Sequence, residues 1–196
     1  TLRKAPDDEV DSVLLRSGIP PRGQYLCFAL RRWKGFEEKA PIFGAAAEYA
    51  YRTYGLTPVF VAVEKHLDPG AGQLAARGLT IPHYFLNDAG SAGTIIGALS
   101  RMQAVVSMRL HALIFAAGQG IPLAGVVYDP KVSAFLRYIG QDLFVDLADL
   151  TETDLRSMID QCVAQAAHPE TQEAAVRTLQ AMEHKNVEVA RRLLKS

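Results

Sequence analysis

Residues 104–138 read AVVSMRLHALIFAAGQGIPLAGVVYDPKVSAFLRY, and this stretch decides the fold. Positions 104–108 form a short apolar run that suits a buried strand, and 110–118 are apolar and long enough for a helix. Positions 122–128 read as a second strand and 131–138 as a second helix. Two strands joined through a helix run parallel. Strands that are apolar on both faces belong to a sheet covered by helices on both sides.

The alternation extends outward from there. Upstream, 24–30 (QYLCFAL) suits a strand, and 37–54 suits a helix with Ile42, Ala45, Ala46, Tyr49 and Ala50 at helical spacing. Gly55 is placed to cap that helix. Positions 58–63 form the next strand, a loop with Asp68, Pro69 and Gly70 leads into a short helical stretch, and 81–86 and 91–102 follow as strand and helix. Downstream, 143–145 is a short final strand. Thr151 then reads as a helix N-cap, with Asp154 at the third position and Leu150 and Leu155 placed for a hydrophobic staple. Leu155, Met158, Ile159, Cys162, Val163 and Ala166 make one apolar stripe. His168 and Pro169 end it, and a second helix is expected on Val176, Leu179, Met182, Val187, Ala190, Leu193 and Leu194. The expected fold is α/β: a doubly wound, mostly parallel, Rossmann-like sheet with helices on both faces, plus C-terminal helices. Residues 1–23, polar and with Pro6, Pro20 and Pro21, read as a lead-in or interdomain linker. Residues 24–150 read as the α/β domain, and 151–196 as a helical extension.

The composition narrows function mainly by exclusion. The chain has 196 residues, 49% of them apolar, with 21 Lys and Arg against 21 Asp and Glu. A length of this order supports one domain with a sizeable core, and the composition is that of a globular chain. A net charge of zero offers no field to hold a polyanion, so nucleic-acid binding through bulk charge is not expected. No apolar run approaches the ~20 residues of a membrane helix. The charged opening TLRKAPDDEVD shows no signal peptide pattern. Starting on Thr1 is what a fragment or trimmed chain would show. Cys27 and Cys162, far apart and in apolar surroundings, read as buried reduced thiols. The five histidines lack metal-ligand spacing, and no phosphate-loop, dinucleotide or nucleophile-elbow motif is present.

In a doubly wound sheet, ligands bind beyond the carboxyl ends of the strands, where helix N-termini present free N–H groups. Three groups fall there. Arg109 stands where the strand 104–108 ends, and His111 stands in the first turn of the following helix. Arg109 offers a planar fork for a carboxylate or phosphate. His111 is placed to act as a base or hydrogen-bond partner. A structural arginine and a packed histidine are the bland alternative. Tyr128, Asp129 and Lys131 end the next strand. Asp129 is a natural N-cap, whereas Lys131 opposes the helix dipole unless it faces an anion. Arg31, Arg32 and Trp33 follow the first strand and suit either an anion or sugar site, or a solvated turn.

The run from Val106 through Arg109, Leu110 and His111 to Leu113, then Gly120, Ile121 and Pro122, then Tyr128, Asp129, Pro130, Lys131 and Val132, resembles the polysaccharide pyruvyl transferase family. The group Leu30, Arg31 and Trp33 is similar to that family's L-R-x-W stretch, and the resemblance spans residues 24–140. Members resemble glycosyltransferases of the two-Rossmann-domain type, so the resemblance implies that this chain is the C-terminal half. It implies transfer of a pyruvyl group from phosphoenolpyruvate to a sugar of a cell-surface polysaccharide, forming a ketal. No cofactor is implied beyond phosphoenolpyruvate as co-substrate. The implied partners are that donor, a glycan or lipid-linked sugar acceptor and an N-terminal domain in cis. The implied location is cytoplasmic, extending to the inner face of the membrane. Arg109, Arg31 and Lys131 then serve as anion partners and His111 as the proton-transfer group, while Trp33 or Tyr128 stacks on a sugar. Two rivals remain open. One is the C-terminal domain of a nucleotide-sugar glycosyltransferase, with Glu64 as its only candidate for a ribose contact. The other is a non-catalytic sugar- or anion-binding module.

Overall fold

The computed structural model describes residues 3–168 together with Val176 and Arg177. Six strands form one sheet: β1 (Tyr25–Ala29), β2 (Thr57–Val61), β3 (Tyr84–Leu86), β4 (Ala104–Ser107), β5 (Leu123–Val127) and β6 (Phe144–Asp146). Their order is β3-β2-β1-β4-β5-β6, and every pairing is parallel. This is the doubly wound Rossmann order, in which the chain reverses direction across the sheet between β1 and β4. The first three strands build outward one way from β1. The next three build the other way from β4.

Among the described residues, seven helices cover the sheet: α1 (Asp7–Arg16), α2 (Phe36–Tyr54), α3 (Pro69–Ala75), α4 (Ala92–Leu99), α5 (Leu110–Gly118), α6 (Pro130–Tyr138) and α7 (Glu152–Ala166). On one face, α2, α3 and α7 bury Phe36, Phe43, Ala71, Leu155 and Cys162 against Leu26, Phe28, Val106 and Val126. On the other face, α1, α4, α5 and α6 pack around Cys27, Val59, Val105 and Leu123. Residues of one strand thus feed both cores, which is why the strands carry no polar alternation. None of the described helices is long and apolar enough to cross a membrane.

Within the described residues the expected elements are all present, with ends within three residues of expectation. Gly55 caps α2 in the left-handed conformation, with φ 69°. Thr151 and Asp154 form a reciprocal capping box at α7, while Leu150 and Leu155 are buried beside it. The second tail helix lies outside the described residues, apart from Val176 and Arg177.

The lead-in requires a correction. Residues 7–16 are not a linker but helix α1, which buries Val10, Val13 and Leu14 on the sheet's second face. Those three positions have helical spacing, and Asp7, Asp8 and Glu9 occupy the first turn, where acidic groups suit the dipole. Arg101, at the end of α4, fixes the helix through Asp7 (3.2 Å) and Asp11 (3.0 Å). Gly97 lets the two helices approach, since a Cβ there would overlap Val10.

Candidate active site at the switch point

Because Ala29 of β1 and Ser107 of β4 are register partners, the two strands end level with one another. Arg31 stands two residues beyond Ala29, and Arg109 two beyond Ser107. Equal offsets from a paired rung bring both arginines to the carboxyl edge at the point where the strand order reverses. In such sheets that point is where the ligand crevice opens.

The turn from β4 into α5 is held by Ser107. Its hydroxyl is fully buried and accepts the Arg109 N–H at 2.8 Å. The same oxygen lies 3.1 Å from the Ala29 carbonyl and 3.0 Å from that of Arg109, either of which can take its single proton. Arg109 remains extended (φ −87°, ψ 117°) as the N-cap residue of α5. Its side chain is only 11% exposed, and its Nε lies 3.3 Å from Asp68 Oδ2. The two terminal nitrogens of Arg109 have no hydrogen-bond partner among the described residues.

Arg31 meets the aromatic pair. Its guanidinium carbon lies 5.5 Å from the centre of the Trp33 ring and 5.9 Å from that of Tyr128, within cation–π range. The rings themselves are 5.0 Å apart and tilted by 54°. Trp33 is 45% exposed. The pair forms one wall of a cleft of about 700 Å³ that Lys34, Asp129, Ser133, Asp146 and Asp149 also line.

His111 faces the other way. It is exposed in the first turn of α5, against the ring of Phe115, and lines a separate cleft of about 230 Å³ with Glu64, Lys65, Asp88 and Ser91. Glu64, weighed as a ribose contact, is therefore a neighbour of His111 rather than of Trp33. Lys131 is exposed and pairs with Asp129 at 3.3 Å, so its charge already has a partner. Asp129 does cap α6: its Oδ1 accepts the Lys131 N–H at 3.0 Å, and that bond, with Lys131 and Arg31 nearby, holds its carboxyl below the usual range. Of the expected site residues, the structure brings Arg31, Trp33 and Tyr128 together, while Arg109 ends the neighbouring strand against Asp68, whose carboxyl feels both arginines. His111 and Lys131 share the same edge of the sheet but flank that group on opposite sides. Among the described residues, no cluster of three or more His, Cys, Asp or Glu could hold a metal ion.

Asp68 is the site residue that sequence reasoning passed over. Its position before Pro69 reads as an ordinary turn or N-cap, yet its side chain does not cap α3. It turns back instead to the loop after β2. The side chain is 1% exposed, and burial pushes its carboxyl up despite the pull of nearby N–H groups and of Arg109 and Arg31.

The family model for polysaccharide pyruvyl transferase matches residues 3–130. The chain belongs to the polysaccharide pyruvyl transferase family. No curated protein matches it by sequence. Among solved structures, the E. coli ADP-heptose LPS heptosyltransferase II aligns with a TM-score of 0.60 and 14% identity, over 83% of this chain and 53% of that one. The kitacinnamycin glycotransferase aligns with a TM-score of 0.58 and 15% identity, over 82% of this chain and 40% of that one. The UDP-GlcNAc 2-epimerase from Neisseria meningitidis aligns at 0.57 and 10% identity, over 92% and 48%. Transferases and an epimerase share the Rossmann-like fold, so the likeness carries architecture and not chemistry. This pyruvyl transferase family member spans about half the length of the structures it matches.

Proposed function

We propose that this domain supplies the donor site of an enzyme that moves a pyruvyl group from phosphoenolpyruvate to a sugar, forming a ketal. The observation that carries this reading is the pair Arg31 and Arg109 at the switch point. A donor with both a carboxylate and a phosphate needs two cationic forks close together. Arg109 has two terminal nitrogens without hydrogen-bond partners among the described residues, and Arg31 lies against the aromatic pair that walls the cleft.

The reaction sets the remaining requirements. One sugar hydroxyl adds to carbon 2 of the enol, and carbon 3 takes up a proton. The carbon–oxygen bond to phosphate breaks, and a second hydroxyl closes the ketal. One hydroxyl proton is thereby returned to carbon 3, and the other leaves with the phosphate. Trp33 and Tyr128 provide a flat apolar surface for a pyranose, and His111, two residues from Arg109 but lining the neighbouring cleft, is assigned the proton transfer. The acceptor comes from a polysaccharide precursor, and a further domain in cis completes the site.

The test is ligand stabilisation followed by turnover. At a hundredfold excess over Kd, a ligand that binds only the folded state adds about 2.7 kcal/mol. Phosphoenolpyruvate should raise the melting temperature of the protein, and sugar-dependent phosphate release should follow in the full-length enzyme. Stabilisation by a nucleoside diphosphate with none by phosphoenolpyruvate would instead select the glycosyltransferase reading.

A further inference from the structure

Arg109 is nearly buried, and its closest approach to a carboxylate is through Nε. Asp68 supplies that carboxylate from the loop between β2 and α3, across the strand order from Arg109. Its Oδ2 also accepts the N–H groups of Val63 (3.1 Å) and Glu64 (2.8 Å), which fixes the side chain's direction. The second oxygen, Oδ1, is buried with no hydrogen-bond partner among the described residues. A buried carboxylate with one oxygen unspent is a costly arrangement. A fold seeking stability alone has little reason to keep it.

We infer that Asp68 is a positioning residue: it holds Arg109 by Nε so that the two terminal nitrogens are presented to the donor's anionic groups. This rests on the donor-site reading above. Held at Nε, a guanidinium keeps the fork that matches a carboxylate or phosphate. Released from Asp68, the same side chain gains rotamer freedom that binding must then remove. The loop after β2 thereby contributes to a site whose cations belong to β1 and β4. Burial pushes the Asp68 carboxyl up, so keeping it charged beside Arg109 costs stability. Stability sacrificed at one such point is what a functional constraint leaves behind.

The experiment is calorimetric titration of the full-length protein with phosphoenolpyruvate and, separately, with inorganic phosphate. Asp68→Asn keeps the shape and still accepts the Val63 and Glu64 N–H groups, but it loses the charge. It should weaken phosphoenolpyruvate binding about tenfold with no comparable fall in melting temperature. In an Arg109→Lys background, the same substitution should have almost no further effect. Asp68→Ser, which also retains an acceptor, should behave alike and guards against a folding defect peculiar to the asparagine. In turnover, KM for the donor should rise more than kcat falls, and KM for the sugar should not move. Unchanged donor affinity in Asp68→Asn, or an effect of equal size with and without Arg109, would overturn the inference while leaving the donor reading intact. Binding of neither phosphoenolpyruvate nor phosphate by the unaltered protein would overturn both.

Discussion

Ser107→Ala removes one oxygen from the turn that aims Arg109, and its cost follows from the contacts that oxygen makes. The hydroxyl is fully buried, and it is the acceptor of the Arg109 N–H at 2.8 Å. Alanine fills nearly the same space, so almost no cavity forms. What remains is an N–H at the start of α5 without its partner, a loss of about 1–3 kcal/mol. For a domain of this size each kcal/mol lowers the melting temperature by about 2–4 °C. The expected fall is therefore about 2–12 °C in a thermal melt, with the urea m-value unchanged because the folded state stays as compact. Donor affinity should fall as well, since the same bond sets the direction in which Arg109 leaves the strand. A melting temperature within about 1 °C of the unaltered protein would show that the turn is held by something other than this hydroxyl.

Two further outcomes test separate parts of the account. His111 is exposed, so His111→Ala should leave the melt unaltered. In the full-length enzyme it should lower kcat by about 10²–10⁴-fold with little change in KM, and an intact kcat would remove it from proton transfer. Burial pushes the Cys162 thiol up to about 12 and the Cys27 thiol higher still, so neither supplies thiolate near neutral pH. Thiol reagents at pH 8 should label the native protein at neither position and the unfolded chain at both; rapid native labelling would contradict the described core.

The fold was legible because each strand announces itself on its own. Runs such as 104–108 and 122–128 are apolar throughout, and the caps at Gly55, Asp129 and Thr151 mark where helices end or begin. Helix α1 was hidden because six of its ten residues are charged or polar. Its three buried positions, Val10, Val13 and Leu14, emerge only when read at helical spacing. The candidate site was legible in its cations and aromatics for a related reason. Arg31, Arg109, Trp33 and Tyr128 all lie within four residues of the end of an apolar strand, at the edge where the crevice opens. What could not be read was how they would group. Residues two apart, such as Arg109 and His111, straddle the change from strand to helix, and only the folded chain shows His111 facing a second cleft. Asp68 was hidden for a different reason. Its partner lies 41 residues away in the chain, and its local signal, an aspartate before proline, is that of a common turn.

The claim that Arg31 and Arg109 grip one anionic donor can be tested by a double-mutant cycle on phosphoenolpyruvate affinity in the full-length protein. Lysine preserves each charge and removes each fork. Arg31→Lys and Arg109→Lys should each weaken binding by roughly 1.5–3 kcal/mol, the range for a hydrogen bond to a charged group. The double variant should lose less than the sum by about 0.5–3 kcal/mol, because residues that share a ligand couple. Affinity unchanged in both single variants, or losses additive within about 0.5 kcal/mol, would contradict a shared donor site at the switch point.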